Sequence, residues 1–320
     1  MKPKLYVAIF ISAALGYANA QTTLFDDTYT RANLNSGQTG GGGQTGADVG
    51  SGISYTVGQW NVAANSAYTG STASANNSGP NIATPNNGTL FKQNNGNMGI
   101  WSLNYNFTDA AILSAGGFSV SQNIISVGSN VNQPTDRYNG YGVGLSPTQI
   151  SGFADDTASN SGPRGSVNAN GAVPGQTTGG VAPFYVDLDI SGQVQVFEAN
   201  TLGGTNSGLV YTSGMLLNAN VSGSLSTPAT LTTDFYFSDF NAGSTVNYGV
   251  FLTTNNVTMA VTSGSFTWDT TGDNYIAGSM RGNTITAGEL NVSTVPEPSA
   301  VAMMVGGLGA IGLLIRRRNI

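Results

Sequence analysis

The sequence predicts an all-β protein built as an antiparallel β-sandwich. In runs such as Phe184-Tyr-Val186-Asp-Leu188-Asp-Ile190, every second residue is apolar, and turn-rich stretches separate these runs. A period of two gives a strand one apolar face, which is typical of half-buried antiparallel sheets. Between Gln21 and Thr294 no long segment has the periodicity of an amphipathic helix. We therefore expect a single β-sandwich domain over residues 21–294.

Other runs repeat the alternation and predict further strands. They cover residues 101–107, 194–196, 235–237, 248–252 and 257–261. The polar stretch Asp189–Gln193 separates two apolar runs, so we expect a β-hairpin from about Phe184 to Phe197. Trp101 and Trp268 share the phase of apolar neighbours, which places both in the predicted core.

Two short helices interrupt this pattern. The first is expected over residues 109–115, with Thr108 or Asp109 as its N-cap and Gly116-Gly117 ending it. The second is expected to begin at Ser146-Pro147 and to run to about Ala154, because proline favours the first helical position.

Composition excludes several classes of chemistry. The chain contains no Cys and no His, so it has no disulfide, no thiolate nucleophile, no catalytic His and no His or Cys metal ligand. Between Gln21 and Pro298, five basic residues stand against 16 acidic ones, a net charge of −11. Such a surface repels nucleic acid, so no nucleic-acid partner is expected, whereas neutral polymers and divalent cations are compatible with it.

The N-terminus has the pattern of a secretory signal peptide. Lys2 and Lys4 precede an apolar stretch over residues 5–16, and the small residues Ala18 and Ala20 occupy the positions that a signal peptidase recognises. We expect residues 1–20 to be removed by that enzyme after Ala20. The alternative is an N-terminal membrane anchor, for which the apolar stretch is short.

The C-terminus combines three features in order. Pro296-Glu297-Pro298 is followed by an apolar or small-residue stretch over residues 299–315, and then by Arg316, Arg317 and Arg318. As a helix that stretch spans roughly 25 Å, slightly less than a hydrocarbon core of about 30 Å. The arginines are expected to stay cytoplasmic, which leaves the preceding domain outside.

These last residues, 295–320, resemble the PEP-CTERM sorting signal of Gram-negative bacteria. The resemblance implies processing by an exosortase, transient anchorage in the inner membrane through the C-terminal helix, and delivery to the cell surface or extracellular matrix. In this reading Pro296, Glu297 and Pro298 are recognised by the processing enzyme. The alternative is a plain C-terminal membrane anchor.

The middle of the chain resembles a second family. The segments are residues 24–32, 106–109, 116–120, 162–165 and 237–243. They are similar to concanavalin A-like lectin and glucanase sandwiches, particularly large secreted bacterial ones. The resemblance implies a jelly-roll fold of two curved antiparallel sheets with roughly six strands each.

Catalysis on such a fold would need a pair of carboxylates. Asp187 and Asp189 fall on one face of a strand, but neither Glu198 nor Glu289 is beside them in sequence. We therefore expect no enzymatic activity, with a secreted glycoside hydrolase or polysaccharide lyase as the alternative, and we interpret the pair first as the solvated face of an amphipathic strand.

A binding role for the same strand face is a further hypothesis. Tyr185 shares that face with Asp187 and Asp189, and aromatic rings and carboxylates suit the CH faces and hydroxyls of sugars. We therefore predict that these three residues contribute to a glycan or ion site. No cofactor is expected. A structural calcium ion is compatible with Asp26-Asp27, Asp239 with Asn241, or Asp269 with Asp273, although none has the spacing of a defined calcium loop.

The function that these observations indicate is that of a secreted surface or matrix protein. We expect it to bind or organise exopolysaccharide after exosortase processing. A purely structural coat protein is the other alternative.

Overall fold

The computed structural model describes most of the predicted domain. The described residues are 21–29, 49–50, 52–53, 55–60, 81–83, 90–93, 98–128, 137–154, 163–164, 181–199, 207–218, 227–269, 271–281 and 285–295. The predicted signal peptide and the predicted sorting signal after Val295 lie outside them, so the division at residues 20 and 294 stays a prediction.

Strands dominate the described residues. In chain order they are β1 (Thr23–Asp27), β2 (Tyr55–Trp60), β3 (Asn81–Ala83), β4 (Leu90–Gln93), β5 (Met98–Leu103), β6 (Gly117–Ser126), β7 (Tyr138–Leu145), β8 (Phe184–Asp189), β9 (Val194–Ala199), β10 (Ser207–Thr212), β11 (Ala229–Tyr236), β12 (Thr245–Thr254), β13 (Val257–Thr267), β14 (Tyr275–Arg281) and β15 (Ile285–Thr294). The helices are α1 (Ala110–Ala115) and α2 (Pro147–Ala154).

The strands form two antiparallel sheets, as predicted, but the sheets have eight and seven strands and not the roughly six each that the resemblance implied. The eight-stranded sheet has the order β13-β12-β11-β6-β15-β4-β3, with β1 also paired to β15. The seven-stranded sheet has the order β10-β9-β8-β7-β14-β5-β2. Strands that are distant in sequence are neighbours in both sheets, so the sandwich closes through long-range contacts.

The core lies between the two sheets. Phe184 of β8 packs edge-on against Phe235 of β11, with ring centroids 5.1 Å apart. The Tyr141 hydroxyl of β7 crosses the core and donates to the carbonyl oxygen of Val120 on β6 (2.9 Å). Trp101 and Trp268 are fully buried in this core, as expected.

One glycine makes room for Trp101. A Cβ atom at Gly278 would lie 2.3 Å from the indole ring, so any larger residue there would displace the ring.

The hairpin expected from Phe184 to Phe197 is present as β8 and β9. Gly192 adopts a left-handed φ of 74° in the turn, and the Gln193 amide donates to Asp189 Oδ1 (2.9 Å). Gly is the residue that takes this conformation without steric cost.

Both predicted helices are present, although only one is capped by side chains. At α2 the Gln149 amide donates to Ser146 Oγ (3.3 Å) and the Ser146 amide donates to Gln149 Oε1 (2.7 Å), which is a capping box before Pro147. Helix α1 ends at Gly116, which is left-handed. Its N-cap residue Asp109 makes no side-chain cap bond, which corrects that part of the prediction.

The predicted run from Trp101 to Phe107 is not one strand. Strand β5 ends at Leu103, and Tyr105 is 37% exposed. The alternation breaks because the Phe107 amide donates to the carbonyl oxygen of Asn274 (3.0 Å), which turns the chain back towards the core.

The sandwich has two ends. We call the end at which β15 stops the tail end. It carries α1 and the loops at 104–109, 237–244 and 271–274. We call the opposite end the far end, where the β8–β9 and β12–β13 hairpins turn. A strand of ten residues separates the two ends by roughly 30 Å.

Candidate functional site

The predicted site residues lie on the outer face of the seven-stranded sheet. Val186 and Leu188 point into the core, so Tyr185, Asp187 and Asp189 alternate to the opposite face. Strand register places Asp187 beside Gly140 of β7 and Gln195 of β9.

Arg164 covers this face. Its Nε lies 2.7 Å from Asp187 Oδ2, and its Nη2 donates to Gln195 Oε1 (2.6 Å). The guanidinium carbon lies 3.9 Å from the centroid of the Tyr138 ring and 4.4 Å from that of Phe197. We call these five residues the Arg164 cluster. A planar, weakly hydrated guanidinium suits a position between aromatic rings and above a carboxylate.

Two further contacts hold the covering segment. The Ala182 amide donates to the carbonyl oxygen of Pro163 (3.0 Å), and the Ser207 hydroxyl donates to the carbonyl oxygen of Arg164. The backbone carbonyls of the segment therefore join it to the residue two positions before β8 and to the Ser207 side chain at the start of β10.

The expectation of a solvated strand face was wrong. Tyr185 and Asp187 are 0% exposed and Asp189 is 7% exposed. The Tyr185 hydroxyl forms a hydrogen bond with Ser279 Oγ (2.8 Å), and burial raises its pKa well above the usual value. Burial also raises the pKa of Asp189, whose carboxylate accepts hydrogen bonds from Ser191 and Gln193 in the β8–β9 turn. The structure thus keeps the three residues on one buried face, and Arg164 pairs with the middle one, Asp187. A role of this face in binding remains a prediction.

A glycine in β7 allows the close packing around Asp187. A Cβ atom at Gly140 would lie 2.1 Å from the carbonyl oxygen of Val186 and 2.5 Å from Asp187 Cβ. Gly140 is therefore part of what fixes the Asp187 side chain.

The carboxylates weighed for catalysis are in different places. Glu198 lies at the edge of the core, where it accepts a hydrogen bond from the Tyr248 hydroxyl (3.2 Å) and burial raises its pKa. Glu289 belongs to β15 of the other sheet. Asp187 is held in an ion pair. The arrangement places neither glutamate beside Asp187 as the second carboxylate of a glycosidase pair.

A second group of polar residues lies in the tail-end loops. The Tyr105 hydroxyl donates to Asp109 Oδ1 (2.8 Å), and Asn106 Nδ2 donates to Asp273 Oδ1 (2.7 Å). Asn274 Nδ2 donates to the carbonyl oxygen of Phe107 (3.0 Å). We call Tyr105, Asn106, Asp109, Asp273 and Asn274 the Tyr105 cluster.

The Tyr105 ring is fixed in position. It packs edge-on against the buried Phe107 ring, with centroids 4.9 Å apart, and the hydrogen bond to Asp109 raises the pKa of its hydroxyl. This combination provides an exposed aromatic ring beside carboxylate and amide groups. The strand predicted over residues 101–107 put Tyr105 in phase with Trp101, so the sequence did not mark Tyr105 as exposed. The two asparagines on either side of it, Asn104 and Asn106, are the signal in the sequence that favours a loop here.

The candidate calcium ligands have partners within the fold. Asp27 accepts from the Tyr55 hydroxyl (2.8 Å), and Asp26 accepts from Asn291 Nδ2 (3.3 Å). Asp239 accepts from the Ser244 hydroxyl (2.6 Å) and from the Asn241 amide (2.9 Å), and these bonds lower its pKa. Within the described part of the chain, no group of three or more acidic residues is placed to hold a metal ion.

The residues predicted for sorting and for signal-peptide cleavage lie outside the described part. They are Ala18, Ala20, Pro296, Glu297, Pro298, Arg316, Arg317 and Arg318. In the portion that is described, no helix has the length and apolarity needed to cross a bilayer.

Sequence comparison finds a known sorting motif at the C-terminus. A family profile described as the PEP-CTERM protein-sorting motif matches residues 294–318. No curated protein matches the chain.

Comparison with solved structures finds lectins. A legume lectin-like domain from Entamoeba histolytica is 9% identical to this chain and has a TM-score of 0.37. The alignment covers 65% of this chain and 83% of that domain. Winged bean acidic lectin, solved with methyl-α-D-galactose, is 13% identical, covers 65% and 86%, and has a TM-score of 0.38. Lectin I-B4 from Griffonia simplicifolia, in a metal-free form, is 11% identical, covers 78% and 95%, and has a TM-score of 0.38.

These TM-scores are low, so the description of the fold rests on the strand order of this chain. The chain therefore carries a PEP-CTERM sorting motif at residues 294–318, and this motif follows an antiparallel β-sandwich that its own strand pairing defines.

Proposed function

We propose that this is an exported protein that an exosortase processes and that then binds or organises exopolysaccharide at the cell surface or in the extracellular matrix. The observation that carries the proposal is the match to the sorting motif at residues 294–318, which begins at the last residue of β15. A folded domain directly before a removable membrane segment is what delivery to the surface requires.

The Tyr105 cluster supports the carbohydrate part of the proposal. A sugar ring can pack its CH face on an exposed tyrosine, while its hydroxyls donate to carboxylate and amide oxygens. The Tyr105 hydroxyl is bonded to Asp109 Oδ1, and the adjacent Asn106 is bonded to Asp273, whose half-buried carboxylate belongs to the same group of loops. A net charge of −11 between Gln21 and Pro298 favours a neutral polymer over an acidic one.

The outer face with Tyr185, Asp187 and Asp189 is the second candidate for a glycan site. Arg164 covers Asp187, so sugar would reach this face only where the Pro163–Arg164 segment moves. A glycosidase or lyase role is the less supported alternative, because the carboxylates are separated as described above. A purely structural role is the remaining one.

The test uses residues 21–295, which contain all fifteen strands. The fragment is co-sedimented with neutral and acidic insoluble polysaccharides and with the producing organism's own matrix, with and without calcium, and new reducing ends are measured in parallel. Retention without new ends supports the proposal. New reducing ends that are no longer produced by Asp187→Asn favour the glycosidase or lyase alternative.

Two variants then locate the site. Tyr105→Ala tests the tail end, and Gln195→Ala tests the outer face while keeping the Arg164–Asp187 ion pair. Absence of retention on every polysaccharide, together with self-association of the fragment, favours the structural alternative.

A further inference from the structure

We propose that the tail end of the sandwich rests on the membrane surface while the C-terminal segment is embedded, with α1 against the lipid and the far end pointing outwards. The inference rests on the proposed function, because it takes membrane anchorage of the tail as given. It adds the orientation of the sandwich on the membrane and the surface, α1, that faces the lipid. It also adds that the Tyr105 cluster is shielded as long as the tail is embedded.

The position at which the chain leaves the domain is fixed. The Val295 amide donates to the carbonyl oxygen of Gly117 (3.2 Å), the Thr294 amide donates to that of Thr22 (2.9 Å), and the Val295 side chain is buried. The apolar stretch begins at Ser299, four residues later. Four extended residues span at most about 14 Å, so the tail end cannot lie far from the bilayer.

Helix α1 is beside this exit. Its C-cap Gly116 accepts a hydrogen bond from the Phe237 amide (3.1 Å), and the next residue, Gly117, holds Val295. The helix buries Ile112 and exposes Leu113 by 39%, and residues 110–117 contain no charge. An uncharged helix with an exposed leucine is therefore carried within reach of the lipid surface.

The lipid surface is the partner that fits this position. The area of α1 is small, so it would hold no partner alone, but the embedded tail supplies the attachment and α1 only has to set the orientation. Because α1 is short, Asp109 at its N-terminus is only about 10 Å from Gly116. The Tyr105 cluster is thus carried to the same surface.

The far end points away from the bilayer. Strand β15 pairs antiparallel with β6, β6 with β11, and β11 with β12, so the β12–β13 hairpin turns at the end opposite to Val295. Val257 in this hairpin is 62% exposed. Removal of the tail would therefore free the Tyr105 cluster, whereas the far end is accessible before and after processing.

The absence of cysteine from the chain allows a direct test. Single-cysteine variants Leu113→Cys and Val257→Cys are made in the chain from residue 21 to residue 320 and bound to neutral phosphatidylcholine vesicles. The rate of reaction with a membrane-impermeant maleimide is measured for each. The same two variants of residues 21–295 are labelled in the presence of the same vesicles as controls.

The expected result is that anchorage slows labelling of Leu113→Cys several-fold and leaves labelling of Val257→Cys unchanged. Equal rates for Leu113→Cys in the anchored and tail-less chains would overturn the inference while leaving the sorting proposal intact. Slowing that requires added exosortase would assign α1 to the enzyme and would also overturn it. A full chain that fails to float with the vesicles would overturn membrane anchorage, which is the premise from the proposed function.

Discussion

Asp187 and Asp273 show how differently one protein can treat two carboxylates. Asp187 lies on the face of a sheet and is fully buried against Arg164, whose guanidinium also contacts the Tyr138 and Phe197 rings. Asp273 lies in a loop at the tail end and accepts its hydrogen bond from a neutral amide, Asn106. The chain has few cations, so the placement of one arginine decides which acidic region belongs to the interior.

The two regions should therefore respond differently to change. A buried ion pair contributes little net stability relative to apolar residues, but it is costly to break, because the remaining charge has no compensation. A hydrogen bond at a loop contributes about 1 kcal/mol and can be replaced by water. The outer face should behave as structure, and the tail end as a surface available for binding.

The largest effect is expected from Arg164→Ala. This change leaves the Asp187 carboxylate buried, and we expect the free energy of unfolding to fall by about 3–5 kcal/mol. Chemical denaturation of residues 21–295 measures it. The matched control is the double variant Arg164→Met with Asp187→Leu, which removes both charges and should be close to the parent. A loss of under about 1 kcal/mol in the single variant would show that water screens the pair and that the face is open.

The strands of this fold could be predicted more completely than their surroundings. Alternation predicted β8 and β9 because each strand turns one face to the core, so that every second residue along it is apolar. Both helices were found because Gly116 and the Ser146-Pro147 pair act locally. The sheet order follows from pairings between distant segments, and no local pattern contains it.

The surroundings of Asp187 could not be predicted for the same reason. Arg164 is 23 residues before Asp187 and touches it only through tertiary packing. Polar residues in alternation indicate water on the second face of a strand, and a single covering arginine reverses this conclusion. For Tyr105 the error had the opposite sign, because a residue expected on the apolar face of a strand is exposed. Tyr105 continues the apolar alternation of β5, but the strand ends at Leu103.

A smaller effect is expected from Asp273→Ala. The variant removes the acceptor of the Asn106 amide, and unfolding should require about 1 kcal/mol less. Asp273→Asn keeps an oxygen acceptor and should recover most of this loss, which makes it the control. A loss as large as that of Arg164→Ala would mean that the tail-end loops are as tightly built as the outer face, and the comparison would fail.

The free energy of unfolding should depend on pH with opposite signs in the two regions. Burial raises the pKa of Asp189 above its ordinary 3.8, so the folded state binds more protons than the unfolded state just above that pH. The free energy of unfolding attributable to Asp189 therefore falls as pH rises through this window. The pKa of Asp239 at the tail end is lowered, so its contribution is lost as pH falls below 3.8.

Denaturation between pH 3 and pH 7 measures both slopes. Asp189→Asn should flatten the decline above pH 4, and Asp239→Asn should flatten the loss at lower pH. Glu198 and Asp234 also have raised pKa values, so part of the decline will remain in Asp189→Asn. An unchanged profile in both variants would contradict the assignment.

The smallest effect on stability, and the most informative for function, is expected from Tyr105. Because the side chain is exposed, Tyr105→Phe should change the free energy of unfolding by no more than about 0.5 kcal/mol, although it removes the hydrogen bond to Asp109. If the ring is the platform for a sugar, Tyr105→Phe keeps part of the polysaccharide retention and Tyr105→Ala loses it, while both remain folded. Retention that is insensitive to both variants and is lost in Gln195→Ala would move the binding site to the outer face, and the roles assigned to the two regions would be exchanged.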